Sequence, residues 1–334
     1  MAKILVTKKI PGKAFEKLLK SNNEVIVSQF DRVLLPQEIM EMGKEAEAVL
    51  TLLTDRWTGE MMDQFPALKI ISNYAVGYDN IDIKAATERG IVVTNTPSNE
   101  VNESVAEFTW AMIFTLAKQT IPADTFAKRG LYKGWQPNIF LGHNLTGKTL
   151  GIVGLGRIGT MVALRAQGFE MKVLYHSKSK SEEVEKELGI QYKELDGLLA
   201  ESDYVTLHVP LLAETKYLIN AAALGKMKQG SYLINTARGG VVDEQALVEA
   251  LKSGKLAGAA LDVHENEPAM NPELMLMENV ILTPHIASAT VEVREKMTEQ
   301  AVDAILKTLN GEMPENIVNK EVWSARRGYQ ITIK

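Results

Sequence analysis

The stretch of sequence that best indicates the fold is a mainly apolar segment followed directly by three spaced glycines, at positions 154, 156 and 159. It reads Thr149-Leu150-Gly151-Ile152-Val153-Gly154-Leu155-Gly156-Arg157-Ile158-Gly159. The apolar residues predict a buried β-strand, and a helical pattern follows the glycines as far as Gln167. A G-x-G-x-x-G string between a strand and a helix is the dinucleotide-binding fingerprint. Its glycines permit a tight turn, a close approach of the backbone to a pyrophosphate, and close packing of the helix on the strand. The sequence therefore predicts a nucleotide-binding unit that starts near residue 149.

Short apolar runs alternate with helical patterns on both sides of this segment. The runs before it are centred on Leu5, Ile26, Leu50, Ile71 and Val92, and those from residue 149 onward on Ile152, Leu174, Val205, Leu233, Ala260 and Ile281. Such alternation predicts parallel sheets covered by helices on both faces, one with five strands and one with six. Between them we expect a helix over 102–118, capped by Asn102 or Ser104, and then a linker over 130–147. A last helix is predicted over 291–309.

Length and composition limit the possible functions. The chain has 334 residues, 46% of them apolar and 24% charged, which is typical of a globular protein with two domains. A net charge of −5 argues against nucleic acid as a partner, and the lack of cysteine excludes disulfides, thiolate nucleophiles and iron–sulfur ligation. We find no signal sequence, and the longest apolar run, 108–117, is about half of the ~20 residues that cross a bilayer. We therefore expect a cytoplasmic protein without a membrane partner.

The residues after the second strand of the nucleotide-binding unit bear on the type of dinucleotide. An NAD site usually has an acidic residue there to accept from the ribose 2′-hydroxyl, and residues 172–180 contain none. Ser177, Lys178 and Ser179 instead offer a positive charge and two hydroxyls, which suit a 2′-phosphate. The sequence therefore predicts NADP as the preferred cofactor, with NAD as the other candidate. The alternative is a solvated basic loop that is compatible with either.

Three polar residues follow successive strands of the second sheet and are candidates for the reacting groups. They are Arg238, Glu267 and His285. Because ligands of parallel sheets bind beyond the carboxyl ends of the strands, we expect all three to face one crevice. His285 is a candidate general acid, Glu267 would stabilise its protonated form, and the guanidinium of Arg238 suits a carboxylate and a ketone oxygen. A structural role for each remains the alternative. The other histidines show no metal-ligand spacing, so no metal is predicted.

The sequence resembles the D-isomer-specific 2-hydroxyacid dehydrogenase family, and most closely its glyoxylate/hydroxypyruvate reductases. The resemblance covers nearly the whole chain. It rests on residues 147–159 together with Tyr74-Ala75-Val76-Gly77-Tyr78-Asp79-Asn80-Ile81-Asp82, Asn235-Thr236-Ala237-Arg238-Gly239, Asp262-Val263-His264-Glu265-Asn266-Glu267-Pro268 and Thr283-Pro284-His285-Ile286. Two features depart from the family: Asn102 stands where relatives often have threonine, and the tail 324–334 has no counterpart.

The resemblance implies an α/β fold with two doubly wound parallel-sheet domains. These would be a flavodoxin-like substrate domain, 1–98 plus 290–334, and a Rossmann cofactor domain, 99–289. The implied reaction is reduction of a small 2-keto acid to the D-2-hydroxy acid, with hydride transferred to C2 and His285 as the proton donor. The implied catalytic residues are Arg238, Glu267 and His285, and those implied to bind substrate are Val76, Gly77, Arg238 and His285. The residues implied or inferred to bind the cofactor are Gly154, Leu155, Gly156, Arg157, Ile158, Gly159, Ser177, Lys178, Ser179, Thr236, Ala237, Arg238 and Asp262.

Other functions remain open at this stage. A dinucleotide-sensing co-repressor-like protein would keep the same three residues, although no basic, disordered flanks are seen. A dehydrogenase for another 2-keto acid, such as pyruvate or phenylpyruvate, would have the same motifs. A formate dehydrogenase would carry glutamine in place of Glu267. The family also implies a homodimer formed through 102–118 and 131–145, with Trp135 or Phe140 as candidate anchors.

Overall fold

The computed structural model describes residues 1–328. The chain divides into two compact units, one formed by Met1–Val101 with Ala289–Lys334 and the other by Asn102–Ser288. Each unit has its own parallel sheet and its own hydrophobic core. Within residues 1–328, none of the helices combines the length and the hydropathy that crossing a membrane requires.

The first unit is built on a five-stranded parallel sheet. Its strands are β1 (Lys3–Val6), β2 (Glu24–Val27), β3 (Ala48–Thr51), β4 (Ile70–Asn73) and β5 (Val92–Thr94), and they lie in the order β2-β1-β3-β4-β5. The connecting helices are α1 (Lys13–Leu19), α2 (Pro36–Gly43), α3 (Gly59–Asp63) and α4 (Ile83–Glu88). This strand order is that of the flavodoxin-like doubly wound fold, in which the carboxyl ends of the strands form the ligand-binding edge.

Local sequence explains where these helices begin. Pro36 occupies the first turn of α2, where its missing N–H group would have no partner in any helix. The side chains of Thr58 and Asp82 accept from the backbone N–H groups of Met61 and Ala85, at the starts of α3 and α4. Pro36 and Thr58 therefore mark the starts of α2 and α3.

The second unit contains a seven-stranded parallel sheet. Its helices are α5 (Asn99–Lys118), α6 (Thr120–Lys128), α7 (Arg157–Gln167), α8 (Glu182–Leu188), α9 (Leu195–Glu201), α10 (Ala221–Lys226), α11 (Glu244–Lys252) and α12 (Pro272–Met275). Helix α5 begins three residues before the unit boundary. The strands are β6 (Thr149–Val153), β7 (Lys172–His176), β8 (Gln191–Tyr192), β9 (Tyr204–Leu207), β10 (Ser231–Asn235), β11 (Leu256–Leu261) and β12 (Val280–Leu282). They lie in the order β12-β11-β10-β9-β6-β7-β8. This is the Rossmann order, extended by β12.

Two details of the predicted second unit were wrong. The sheet has seven strands rather than six, because the two-residue strand β8 pairs with β7. The long helix begins at Asn99 rather than at 102, because the Ser98 hydroxyl accepts from the Val101 N–H group at 3.3 Å and so starts the helix earlier. Ser104 is therefore an interior residue of α5 and not its cap.

The last helix, α13 (Val291–Leu309), returns the chain to the first unit. It has the predicted bounds, starts with Thr290 as a cap and ends at Asn310, after which Gly311 adopts φ +82°. The helix packs against α1, β3 and β4. The chain beyond it stays on the same unit, where the Arg327 backbone N–H donates to Gly90 O at 2.8 Å. The part of the unmatched tail at 329–334 lies outside the described residues.

Candidate active site

The candidate reacting groups follow three neighbouring strands of the second unit. The strands β10, β11 and β12 are adjacent and parallel, and Asn235, Leu261 and Leu282 stand in one register at their carboxyl ends. The segments that continue from these ends carry Arg238, Glu267 and His285. The sheet therefore brings all three segments to a single edge.

His285 and Glu267 form a hydrogen-bonded pair at this edge. His285 Nδ1 lies 2.9 Å from Glu267 Oε2, and the two side chains are 24% and 21% exposed. The other carboxylate oxygen, Oε1, accepts from the His264 backbone N–H at 2.9 Å. Burial favours the neutral form of Glu267, but the hydrogen bonds from His285 and the His264 amide outweigh it and lower the pKa of this carboxyl below its ordinary value of 4.5.

The charge on Glu267 decides which nitrogen of His285 is available for proton transfer. An ionised carboxylate can only accept hydrogen bonds, so Nδ1 must carry a proton and donate it to Glu267. The remaining ring nitrogen, Nε2, is then the atom that exchanges a proton with another group. The pair therefore has the arrangement of an oriented general acid.

Asp262 holds the loop that presents His285. This fully buried carboxylate accepts at Oδ1 from the Thr283 hydroxyl (2.6 Å) and the Ile286 N–H (2.8 Å), and at Oδ2 from the Ala287 N–H (2.8 Å). His285 has φ +55°, which few residues other than glycine adopt, and its N–H donates to Asp262 O at 2.8 Å. The loop is thus fixed in an uncommon conformation. Asp262, expected to line the nicotinamide end of a cofactor site, directs both carboxylate oxygens to the 283–287 loop.

The Arg238 segment is held against the Glu267 segment by a glycine and an asparagine. The Asn235 side chain binds the backbone of this segment, where it donates to Arg238 O at 2.9 Å and accepts from the Ala237 N–H at 3.0 Å. A Cβ atom on Gly239 would lie 1.9 Å from the carbonyl carbon of His264, which is too close for any other residue. This contact places the chain around Arg238 directly beside the chain that leads to Glu267.

The three fingerprint glycines differ in what surrounds them. A Cβ on Gly154, which has φ +102°, would lie 2.7 Å from the His208 carbonyl, and one on Gly159 would lie 2.1 Å from Gly154 O. A Cβ on Gly156 would meet no atom of the described residues within 4 Å. Helix α7 starts beside this open space, and the residue before it provides no side-chain cap for its N–H groups. An uncapped helix start beside open space fits a pyrophosphate.

The residues next to the fingerprint glycines and those after β7 differ in exposure. Leu155 and Ile158 pack against the core of the unit, and Arg157 is exposed. At the end of β7, Ser177 is half-buried, and Lys178 and Ser179 are exposed. Lys180 is not equivalent to Lys178, since its Nζ lies 4.4 Å from the centre of the Tyr192 ring. Lys178 is thus the better candidate for contact with a phosphate.

Val76 and Gly77 lie in the first unit, in the loop that follows β4 at the carboxyl edge of its sheet. Both are at least partly exposed. Within residues 1–328, no group of three or more acidic or histidine side chains is placed to hold a metal ion.

Comparison with known proteins identifies the family. The model of the D-isomer specific 2-hydroxyacid dehydrogenase NAD-binding domain matches residues 110–287. The chain is 46% identical to the glyoxylate reductase of Thermococcus kodakarensis over 97% of this chain and 98% of that protein. The chain belongs to the D-isomer-specific 2-hydroxyacid dehydrogenase family.

Solved structures of similar proteins agree with this assignment. The TT0316 protein of Thermus thermophilus has a TM-score of 0.87 and 41% identity over 95% of this chain and 99% of that one. An NADPH-dependent glyoxylate/hydroxypyruvate reductase from Sinorhizobium meliloti, solved with NADP and malonate, has a TM-score of 0.83 and 33% identity over 98% of this chain and 99% of that one. The fold prediction of two doubly wound parallel sheets is confirmed.

Sequence reasoning missed two hydroxyl residues of this dehydrogenase that hold the loops at the candidate site. Ser104 donates to Ala287 O at 2.8 Å, next to the His285 segment. Thr109 donates to Val105 O at 2.8 Å, so at 3.0 Å it must accept from the Thr236 hydroxyl, next to the Arg238 segment. Both residues lie on the buried face of α5. The sequence signal for these roles is that both hydroxyls interrupt an otherwise apolar face of the predicted helix.

The segments expected at a dimer interface of the dehydrogenase differ in exposure. Apart from the exposed Ala111, the apolar residues of α5 between Ala106 and Ala117 are in the core of their own unit or pack against it. In the segment 131–145, Trp135 is 82% exposed, whereas Phe140 packs edge to face on Phe126 with 5.3 Å between ring centres. Of the two candidate anchors, Trp135 is therefore the one that remains available to a partner.

Proposed function

We propose that this protein is an NAD(P)H-dependent reductase of small 2-keto acids of the glyoxylate and hydroxypyruvate class, which forms the D-2-hydroxy acid. The observation that carries the proposal is the His285–Glu267 pair, 2.9 Å apart, in a unit that also has a dinucleotide cradle. Relatives named glyoxylate reductases support the substrate class. No observation favours a co-repressor-like function, or pyruvate or phenylpyruvate as the preferred substrate.

Each reacting residue has a defined role in this proposal. When bound, the reduced nicotinamide supplies the hydride for C2 of the keto acid. Arg238 binds the substrate and polarises its ketone, and His285 gives the proton on Nε2 to the ketone oxygen. Glu267, whose pKa is lowered, stays ionised at neutral pH and stabilises the protonated imidazole. The N–H groups of Val76 and Gly77 bind the substrate carboxylate.

The cofactor would be held by residues from several segments of the second unit. The pyrophosphate would lie against Gly154–Gly159 at the start of α7, and the nicotinamide end near Thr236, Ala237, Arg238 and Asp262. We propose NADP as the preferred cofactor, because Ser177, Lys178 and Ser179 follow β7 and no acidic residue lies between 172 and 180 to repel a 2′-phosphate.

The activity is tested by following the absorbance of NADPH and NADH with four keto acids. Glyoxylate and hydroxypyruvate should be reduced with a higher kcat/KM than pyruvate and phenylpyruvate, and NADPH should be used better than NADH. Lack of turnover with all four acids and both cofactors would contradict the proposed function.

A charge reversal at Lys178 tests the cofactor preference. Lys178→Asp should lower kcat/KM for NADPH relative to NADH, because the carboxylate repels the 2′-phosphate and can accept from the 2′-hydroxyl. The matched control is Lys186→Asp, since Lys186 is an exposed lysine on the neighbouring helix α8. An equal change of the ratio in both variants would mean that residues 177–179 do not select the cofactor.

We also propose that the protein is a homodimer that uses the exposed apolar residues of 131–145. Leu131, Tyr132, Trp135 and Leu141 are all exposed, which is unusual for a cluster of large apolar side chains in one segment. Sedimentation analysis should give a dimer, and Trp135→Ser should weaken it. A monomeric wild-type protein would contradict this part of the proposal.

A further inference from the structure

In the loop after β4, the carbonyl oxygens of three successive peptide groups are held by hydrogen bonds. Three successive carbonyls of the loop each accept a hydrogen bond from a donor within the first unit. Ala75 O accepts from the Thr96 N–H at 2.9 Å, Val76 O from Asn95 Nδ2 at 2.7 Å, and Gly77 O from Asn73 Nδ2 at 2.8 Å. Among the described residues, the N–H groups of Val76, Gly77 and Tyr78 find no acceptor.

The planar peptide group connects these two observations. A carbonyl and the N–H of the next residue belong to one rigid trans unit and point in opposite directions. When Asn95 binds Val76 O, it therefore directs the Gly77 N–H away from itself. In the same way Thr96 directs the Val76 N–H, and Asn73 directs the Tyr78 N–H.

The donors that hold the loop belong to a larger polar network. Asn73 is fully buried and also donates to Asn80 Oδ1 at 3.2 Å. Asn80 in turn donates to Leu52 O at 3.2 Å and to Asp55 O at 3.0 Å, in the loop after β3. The buried Asp55 carboxylate accepts from the Leu52 N–H at 3.0 Å. Two neighbouring loops are thus fixed together, so the orientation of the three N–H groups is set before any ligand binds.

We infer that Asn95 and Asn73 are positioning residues that aim the N–H groups of Val76, Gly77 and Tyr78 at the substrate carboxylate. The inference rests on the proposed function and adds to it a third amide donor and the side chains that orient the amides. Donors fixed in advance bind an anion without reorganisation, which raises affinity. All three residues are partly or fully exposed.

The amide site predicts a specific pattern of substrate selection. The amides recognise the carboxylate, which every 2-keto acid has, and not the group attached to C2. Loss of an anchoring side chain should therefore weaken all 2-keto acids by the same factor. A change in a residue that contacts the rest of the substrate would instead affect some acids more than others.

The test variant is Asn95→Ala. Its side chain is only partly buried, and the backbone of residue 95 bonds independently to residue 316, so the fold should be kept. The matched control is Asn23→Ala, since Asn23 precedes β2 at the opposite edge of the same sheet, where its Oδ1 accepts from the Ala2 N–H at 3.1 Å. For each protein we would measure kcat and KM for glyoxylate, hydroxypyruvate and pyruvate, and the dissociation constants of NADPH and of oxalate by calorimetry.

Asn95→Ala should raise KM about 5–10-fold, the effect of one lost hydrogen bond, by the same factor for all three acids. It should weaken oxalate binding by the same factor and leave kcat and NADPH binding within about twofold of the wild-type values. Asn23→Ala should change none of these quantities. Unchanged KM and oxalate binding in folded Asn95→Ala, or a loss of kcat without a change in KM, would overturn the inference. If Asn95→Ala does not fold, Asn95→Asp, which also lacks the donor, serves instead and must weaken oxalate binding at least about fivefold.

The oxalate measurement separates this inference from the proposed function. If the wild-type protein reduces no keto acid but binds oxalate, and Asn95→Ala weakens that binding, the proposed function fails and the amide site stands. If the wild-type protein reduces glyoxylate while Asn95→Ala behaves like Asn23→Ala, the proposed function stands and the inference fails.

Discussion

Two loops, one in each unit, are held by hydrogen bonds of opposite polarity. In the 283–287 loop the buried carboxylate of Asp262 accepts from backbone N–H groups, and the loop presents the His285 side chain. In the 75–78 loop the amides of Asn73 and Asn95 donate to backbone carbonyls, and the loop presents N–H groups. In the proposed reaction, the loop held by an acceptor supplies a side chain for proton transfer, and the loop held by donors supplies amides that bind an anion.

The largest expected effect is the loss of kcat when His285, the side chain presented by the 283–287 loop, is replaced. His285→Ala should lower kcat by about 10²–10⁴, the usual contribution of a general acid. The exposed His143 provides the control, and His143→Ala should retain wild-type kcat. Steady-state reduction of glyoxylate checks both variants. Similar kcat values for the two variants would show that His285 is not the proton donor.

The buried partners of the two loops should differ in their contribution to stability. Asp262→Ala removes a fully buried carboxylate and leaves three donors of the 283–287 loop without their charged acceptor, so it should lower the free energy of unfolding by about 3 kcal/mol. Asn73→Ala removes a neutral amide that donates to Gly77 O and exchanges hydrogen bonds with Asn80, and it should lower the free energy of unfolding by about 1–2 kcal/mol, because hydrogen bonds to charged groups are stronger. Denaturant titration of both variants measures the difference, and an equal or reversed order would refute the comparison.

A smaller effect is expected from the helix hydroxyl that supports the 283–287 loop. Ser104→Ala removes the 2.8 Å hydrogen bond to Ala287 O and should lower kcat about fivefold without changing the KM of the keto acid. Ser253→Ala loses a comparable bond to Ala250 O in α11 and should leave kcat unchanged. A rise in KM in place of the fall in kcat would mean that this loop binds substrate instead of orienting His285.

The smallest effect concerns the dependence of stability on pH. The pKa of Glu267 is lowered in the folded protein, whereas the unfolded chain has the ordinary value of 4.5. Ionised Glu267 therefore stabilises the folded state fully above pH 4.5, and this contribution is lost as the pH falls through the lowered pKa. The difference in unfolding free energy between wild type and Glu267→Gln should shrink as the pH falls below 4.5. A difference that stays constant in acid would contradict the assigned shift.

Features encoded by neighbouring residues were predictable from the sequence. The fingerprint strand, turn and helix were found because glycine spacing and apolar pattern lie within one short segment. The bounds of α13 were predictable because Asn310-Gly311 ends its apolar period. The strand β8 was missed because Gln191–Tyr192 is too short to show a pattern.

Features that depend on contacts between distant residues were not predictable. Asn95 and Val76 are 19 positions apart, and Ser104 and Ala287 are 183 apart, so no local pattern reports these bonds. The same holds for the hydrogen bonds that the Asp262 carboxylate accepts from the 283–287 loop. The candidate reacting residues could be named from their strand ends, but the groups that orient them required the structure.

The central claim is that the two loops do separate work, one binding the carboxylate and the other donating the proton. The most direct test is a double-variant cycle with Asn95→Ala and Ser104→Ala, measuring kcat and KM for glyoxylate. We predict that the first change raises only KM and that the second lowers only kcat. The kcat/KM of the double variant should then fall by the product of the two single effects, within about twofold. A double variant no worse than either single one, or a single change that shifts kcat and KM together, would contradict the account.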